Sequence, residues 1–484
     1  MASADKLNIV KSKMKPATFR FSNIGPVKDA KLELGELTII AGRNNTGKTY
    51  MAYTLYAFLK MYEEWPELIV DAESVAGTAH AIKEMLAIRM RKILQAEQPV
   101  DWTMRNEMRS SLMDDMTRTF SDTRLSRVFS SPTGVFDGAR LDVELARDPS
   151  NGKRIYETIR SDGAILSLNY DGEKASLYIE EGKQPYLRSD IDEALSHLYL
   201  RFLFPEIPSE TFILSSERFG ISLFYRELDF TKNQLVDLLQ KMGDDKAWGR
   251  SSRFMFIDGA TSRYALPIKH NIDYTRSIPD LRAKESELHA HKLHDGIKDM
   301  MGGYYRASEE EIRFISKARG KGRSFNIPLH NASSSARGLS DFYFFLRHVA
   351  SSGHLLIIDE PESHLDTANQ ILLARLLARF VRAGLKVLIT THSDYLIKEI
   401  NNLVMLNSTF AEKESVVKKL KYRPDDALEP ESIRAYIAED NGLKKCDVDE
   451  FGIDMPVFDG TIDEINAVAN ELTSRISEDS EAAE

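Results

Sequence analysis

Gly42, Gly47, Lys48 and Thr49 stand in the run Gly42-Arg43-Asn44-Asn45-Thr46-Gly47-Lys48-Thr49, which has the form G-x-x-x-x-G-K-T. Such a loop cradles phosphate. Its glycines lack Cβ, so the backbone can take positive φ and turn its N–H groups inward. Lys48 can reach the β- and γ-phosphates, and the Thr49 hydroxyl suits Mg²⁺. Tyr50, first in the helix that follows, completes the candidate nucleotide contacts. A second group of residues suits the other half of a triphosphate site. Leu355-Leu356-Ile357-Ile358 is an apolar strand ending in Asp359 and Glu360. Asp359 is placed to hold Mg²⁺, and Glu360 to polarise the water that attacks a γ-phosphate. His392 follows the buried run Val387–Thr391 at a spacing that suits a γ-phosphate sensor.

Two further stretches belong beside these. Ser333-Ser334-Ser335-Ala336-Arg337-Gly338 opens a helix. Its hydroxyls and free N–H groups suit an anion, with Ser334 and Ser335 as candidate contacts, while plain N-capping by serine is the alternative. Ser363-His364-Leu365-Asp366 follows the two carboxylates and precedes an amphipathic helix, Thr367–Arg382.

The elements that must position these groups alternate in period. Strands are expected at Ala17–Phe21 and Ala30–Leu34, with a turn at Gly25-Pro26. Leu37–Ala41 is the strand entering the loop, and a helix is expected over Tyr50–Tyr62. Helical spacing then dominates Glu64–Gln98, Leu112–Val128 and Asp190–Phe204, with short strands between Leu141 and Glu181. Thr211–Leu214 reads as a buried strand ending in Ser215–Gly220. A ligand-proximal cluster and a structural Glu217–Arg218 pair fit that end equally well. Leu223–Met242 and Arg282–Met301 read as helices. The second carries His289, His291 and His294, for which a solvated face is expected rather than a metal site. Ile312–Ile315 and Ser324–Leu329 form an expected hairpin across the basic turn 317–323. These readings divide the chain into an N-terminal part of the head (1–62), a helical and β insertion (63–210), the remainder of the head (211–400) and a C-terminal extension with an acidic tail (401–484).

Composition narrows the function. The net charge is −10, from 64 basic and 74 acidic residues, which argues against a generic nucleic-acid coat. No apolar run is long enough for a membrane span, so no membrane partner is expected. The single cysteine, Cys446, allows no internal disulfide or Cys-based zinc site and fits a reducing cytosol. The polar N-terminus reads as cytoplasmic rather than secretory. Asp447-Val448-Asp449-Glu450 reads as an acidic loop rather than a nuclease centre.

In order and spacing, Gly42–Thr49, Ser333–Gly338, Ile357–Glu360, His364–Asp366 and Thr391-His392 resemble an ABC-type ATPase head. The resemblance is to its SMC- and RecF-like branch, often grouped with the AAA-family ATPases. It implies an α/β fold with a P-loop parallel core sheet, antiparallel N-terminal strands and an inserted α+β arm. It implies Walker A at Gly42–Thr49, Walker B at Leu355–Asp359, Glu360 as the catalytic glutamate, Ser363–Asp366 as the D-loop and His392 as the switch histidine. ATP and Mg²⁺ are the implied cofactors. The signature loop differs, with Ser-Ser-Ser-Ala-Arg-Gly where Ser-Gly-Gly is usual. Heads of this type close on one another, so the resemblance implies a homodimer or higher homo-oligomer through shared ATP sites. Compact heads without a nuclease domain look like the ATPase subunits of bacterial antiviral systems such as Septu and PARIS. The implied role is a slow ATPase that senses DNA or a phage protein and controls a separate nuclease or toxin. A RecF-like repair ATPase on duplex DNA and a non-hydrolysing, ATP-locked scaffold are the alternatives.

Overall fold

The apolar runs that flank the candidate site become neighbouring strands of one sheet. The computed structural model describes residues 16–71, 100–103, 106–131, 134–145, 155–161, 164–170, 174–182, 197, 199–201, 203–224, 264–309, 311–316, 324–455 and 466–474. The chain begins with β1 (Thr18–Ile24), β2 (Val27–Glu33), β3 (Leu37–Ala41) and the long helix α1 (Lys48–Asp71). Next come β4 (Val100–Thr103), α2 (Asn106–Thr119), β5 (Arg140–Glu144), β6 (Ile155–Ser161), β7 (Ala164–Tyr170), β8 (Lys174–Gly182) and β9 (Thr211–Leu214). Then α3 (Leu266–Leu281), α4 (His294–Met301), β10 (Gly303–Ala307), β11 (Ile312–Ser316), β12 (Asn326–Pro328) and α5 (Ser334–His348) lead to β13 (Leu355–Asp359). The chain continues with α6 (Thr367–Arg382), β14 (Lys386–Thr391), α7 (Asp394–Met405), α8 (Lys413–Lys419), β15 (Ile433–Glu439) and β16 (Gly442–Cys446).

The central sheet has the order β16-β15-β3-β14-β13-β9. Five strands run parallel and β16 closes one edge antiparallel. Both faces are buried, which is why these strands read as unbroken apolar runs. Ile40, Leu355, Ile357 and Leu388 face a core shared with α1 and the antiparallel sheet β2-β1-β5. Ile39, Leu356, Ile358 and Ile389 face the opposite core, built with α4, α5, α6 and α7. Register brings the strand ends level: Ala41 opposes Thr391, and Asp359 opposes Thr390. They form the carboxyl edge of the sheet, where open α/β folds bind ligands.

The mixed α/β architecture, a parallel core sheet with antiparallel N-terminal strands, is as expected. Several local expectations change. The sheets take strands from stretches that the sequence reading set apart: β5 pairs with β1, and β15 pairs with β3 beside the phosphate loop. One helix over Arg282–Met301 is corrected to an irregular stretch after α3, a 3-10 turn at Glu287–His291 and α4. The break has a tertiary cause: the Ser286 N–H donates to the Arg347 carbonyl (2.9 Å), and Lys292 turns the chain at φ 50°. The solvated face expected there is also corrected for His294, which is buried against Tyr343. Most of Glu64–Gln98, most of Leu223–Met242 and the basic turn 317–323 lie outside the described residues.

α5 carries one residue that the core tolerates only at a cost. Asp341 is buried and accepts from the Thr275 hydroxyl of α3 (2.9 Å). Burial pushes its carboxyl up to about 7, against the hydrogen bonds from Thr275 and Ser340 and the attraction of Arg218. An acid with a raised folded-state pKa holds its proton more tightly in the native chain than in the unfolded one, where the value is ~3.9. Its contribution to stability is therefore full below about pH 4 and is lost as pH rises towards 7. Asp341→Asn is expected to flatten this dependence. Urea unfolding of both proteins between about pH 5 and pH 8 checks it, and an unchanged slope contradicts the assignment.

Candidate functional site

The phosphate loop is held open by packing as well as by glycine. Gly42 has φ 152° and Gly47 φ 90°. A Cβ on Gly47 would lie 2.4 Å from the Val27 side chain, and one on Gly42 would lie 2.7 Å from the Ala438 carbonyl. Asn45 takes the left-handed conformation at φ 63°. Arg43, Asn44 and Asn45 are exposed at the lip, and Thr46 closes on the Arg43 carbonyl through its hydroxyl (2.9 Å). Lys48 is buried and donates to the carbonyls of Gly42 (2.8 Å) and Arg43 (2.7 Å). Burial lowers its pKa, opposed by Glu360, Asp359 and Glu362. The Tyr50 ring turns aside, covering Gly25 and packing on Phe129 at 4.9 Å, so Tyr50 offers the loop only its backbone.

The acidic half meets this loop directly. The Thr49 hydroxyl lies 3.1 Å from both carboxylate oxygens of Asp359. Asp359 also accepts from Thr390 Oγ1. Burial lifts its carboxyl to about 6, against the hydrogen bonds from Thr390 and Thr49. Glu360 sits at φ 48°, a costly conformation for a non-glycine residue. Its N–H donates to the Thr390 carbonyl (3.1 Å) and hydroxyl (3.2 Å), and its side chain accepts from the Ser363 hydroxyl (3.1 Å). His392 Nδ1 lies 3.9 Å from Glu360 and 3.3 Å from Glu362.

Arg218 braces the strained turn from below. It is buried and donates to the carbonyls of Ser215 (2.9 Å), Asp359 (2.8 Å) and Glu360 (2.7 Å). α3 steadies the same strand end, for Asn271 bonds both Ser215 N (2.8 Å) and the Ile213 carbonyl (2.5 Å). Glu217 does not pair with Arg218; it accepts from the Tyr53 hydroxyl (2.9 Å). Arg218→Met is expected to destabilise the protein by about 1–3 kcal/mol, because the buried Asp359 carbonyl loses this donor while those of Ser215 and Glu360 keep only the backbone N–H bonds from Arg218 and Ser363. Denaturant unfolding measures it, and a loss under about 0.5 kcal/mol would remove Arg218 from this role.

The serine loop is partly spoken for. Ser333 caps α5 by accepting from Ala336 N (3.2 Å), the capping alternative weighed above. Ser335 donates to the His364 carbonyl (2.6 Å) and so ties the loop to the stretch after Glu360. Asp366 caps α6 through Asn369 N (3.0 Å). Among the described residues no hydrogen bond or ion pair joins Ser333–Gly338 to Gly42–Thr49. No cluster of three or more His, Cys, Asp or Glu side chains suited to a metal occurs among them either, and His289, His291 and His294 do not converge on one.

Sequence reasoning missed Glu362 and Thr390. Glu362 was legible only as a further acid in Asp359-Glu360-Pro361-Glu362, and Thr390 as a hydroxyl in an apolar strand. Register decided both: Thr390 lies opposite Asp359, and Glu362 folds back beneath Thr391 and His392.

The residues present fit Mg²⁺ and a triphosphate. A hydroxyl and a carboxylate converge as hard oxygen donors, and the glycine cradle lies where a Cβ would intrude. Thr49 and Asp359 would hold the ion, which takes its remaining ligands from phosphate and water.

Residues 206–398 match the family model described as "AAA domain, putative AbiEii toxin, Type IV TA system". That stretch of the chain is thus similar to AAA-family ATPase domains. The matched stretch spans β9 to α7 and contains Asp359, Glu360, Glu362 and His392, while the phosphate loop precedes it. Among solved structures, the chain is similar to the Smc head domain of Pyrococcus furiosus with an extended coiled coil bound to the C-terminal domain of ScpA. Identity is 12%, coverage is 88% of this chain and 94% of that one, and the TM-score is 0.30. The SMC head domain from Thermotoga maritima gives 10% identity, coverage of 90% and 100%, and a TM-score of 0.27. No curated protein gives a significant match. Among the described residues no helix is long and apolar enough to cross a membrane.

Proposed function

We propose that this chain binds and hydrolyses ATP at a site completed by a second copy of itself, and that closure of the pair controls a separate effector, a nuclease or toxin, in antiphage defence. The observation that carries the reading is the meeting of Thr49 with Asp359, beside Glu360 and His392. Bound Mg²⁺ would neutralise charge on the β- and γ-phosphates. The residues do the rest. Lys48, freed from the two loop carbonyls, donates to phosphate oxygens. Glu360 accepts the proton of the attacking water as oxygen bonds to the γ-phosphorus and the bond to ADP breaks. Arg218 and Thr390 hold Glu360 in place for that transfer. His392 donates to the terminal phosphate.

Self-association is supported by the serine loop. One phosphate loop leaves the far side of a triphosphate open, and a second helix N-terminus adds donors and excludes water. Ser334 and Ser335 stand at such an N-terminus, and Ser335 bonds the His364 carbonyl in the stretch that follows Glu360. A defence setting is compatible with the matching model, whose description names a putative toxin of a toxin–antitoxin system.

Sedimentation of Glu360→Gln with and without Mg·ATP tests the shared site. A nucleotide-dependent dimer or larger oligomer is expected, and a monomer in saturating Mg·ATP overturns it. Co-expression with the product of a neighbouring nuclease or toxin gene tests the effector role, through a complex whose stability changes with nucleotide.

A further inference from the structure

Glu362 is a buried carboxylate with an unusual set of contacts. Its side chain is only 3% exposed, yet among the described residues no lysine or arginine forms an ion pair with it. Oε1 accepts from the Thr391 hydroxyl (2.7 Å) and from the His392 backbone N–H (2.7 Å), and lies 3.3 Å from His392 Nδ1. Oε2 has no hydrogen-bond partner. A buried ionisable group with an unmet oxygen is costly, and a glutamine would answer the Thr391 and His392 backbone contacts as well. What the charge adds is directed at the imidazole.

Building on the hydrolytic reading above, we propose that Glu362 is a positioning residue for His392: it anchors the histidine by backbone and ring together and keeps the proton on Nδ1, leaving Nε2 for the substrate. Two carboxylates flank the same nitrogen, and Glu362 is the nearer, at 3.3 Å against 3.9 Å for Glu360. The difference matters because Glu360 must stay available to water. A ring held by Glu362 does not compete for it. The exposed His392 side chain, 45% accessible, has little packing to fix it otherwise. A carboxylate partner behind a functional imidazole fixes tautomer and orientation in many sites.

The test compares wild type with Glu362→Gln, Glu362→Asp, His392→Ala and the double variant Glu362→Gln/His392→Ala. Glu362→Gln is expected to lower kcat for phosphate release about 10- to 100-fold, with KM and the affinity for a fluorescent ATP analogue within about twofold. In the His392→Ala background the same change should cost less than about twofold, because both residues act along one path. Glu362→Asp should recover part of the loss. Independently of turnover, the ring ¹⁵N shifts of His392 in the nucleotide-free protein, assigned by their absence in His392→Ala, should move towards the Nε2–H tautomer in Glu362→Gln. Unchanged shifts, or losses in kcat that multiply in the double variant, overturn the assignment. Wild-type release no faster than that of Glu360→Gln defeats the hydrolytic reading and this assignment with it. Release that Glu362→Gln leaves intact defeats only the role of Glu362.

Discussion

Lys48→Ala is expected to weaken ATP binding by about 10²–10⁴-fold while leaving the melting temperature close to wild type. The ammonium is buried, and among the described residues its hydrogen bonds go to the carbonyls of Gly42 and Arg43. The Arg43 carbonyl can turn to water at the loop's lip, so the fold loses mainly the single buried bond to Gly42. The bound state loses more. A hydrogen bond to a charged group contributes about 1.5–3 kcal/mol, and two such bonds to phosphate oxygens convert to roughly that range of affinity. The lysine's lowered pKa points the same way: burial disfavours its charge, Asp359, Glu360 and Glu362 only partly offset this, and a polyphosphate would complete the compensation. Titration with a fluorescent ATP analogue measures the loss. Undiminished affinity would remove Gly42–Thr49 from the nucleotide site.

The second large effect is on turnover. Glu360→Gln should cut phosphate release about 10²–10⁴-fold, the range of a lost general base, with nucleotide affinity retained. The glutamine preserves the size of the side chain and can still accept from Ser363 Oγ, and the strained turn is held by main-chain contacts from Thr390 and Arg218 that do not involve the carboxylate. Single-turnover measurements separate the two quantities. A variant as active as wild type would move the base to another residue, and two equally inactive proteins would return the chain to the class of ATP-locked scaffolds.

How much of this was legible beforehand differs from residue to residue. Lys48, Thr49, Asp359 and Glu360 stood out because each closes an apolar strand or a glycine loop, and such local patterns survive in one dimension. His392 stood out by its place after a third such strand. The same apolar runs read as buried strands, since strands buried on both faces leave no polar alternation, and the resemblance to an ABC-type head implied their parallel sheet.

The sequence by itself determined the chemistry on offer: a glycine loop with a lysine and a hydroxyl, two carboxylates at a strand end, and an α/β sheet to carry them. Tertiary structure alone decided how those groups are held. Gly42 is required because β15, drawn from almost four hundred positions away, lays the Ala438 carbonyl against it. Thr390 reaches Asp359 because β14 and β13 share a register. Arg218, Asp341 and Glu362 acquire their surroundings only when α3, α5 and the strand ends pack together. The physical reason is common to all of them. A backbone pattern repeats over neighbouring residues, but the fit of a Cβ, the burial of a charge and the partner of a carboxylate depend on atoms that meet through space.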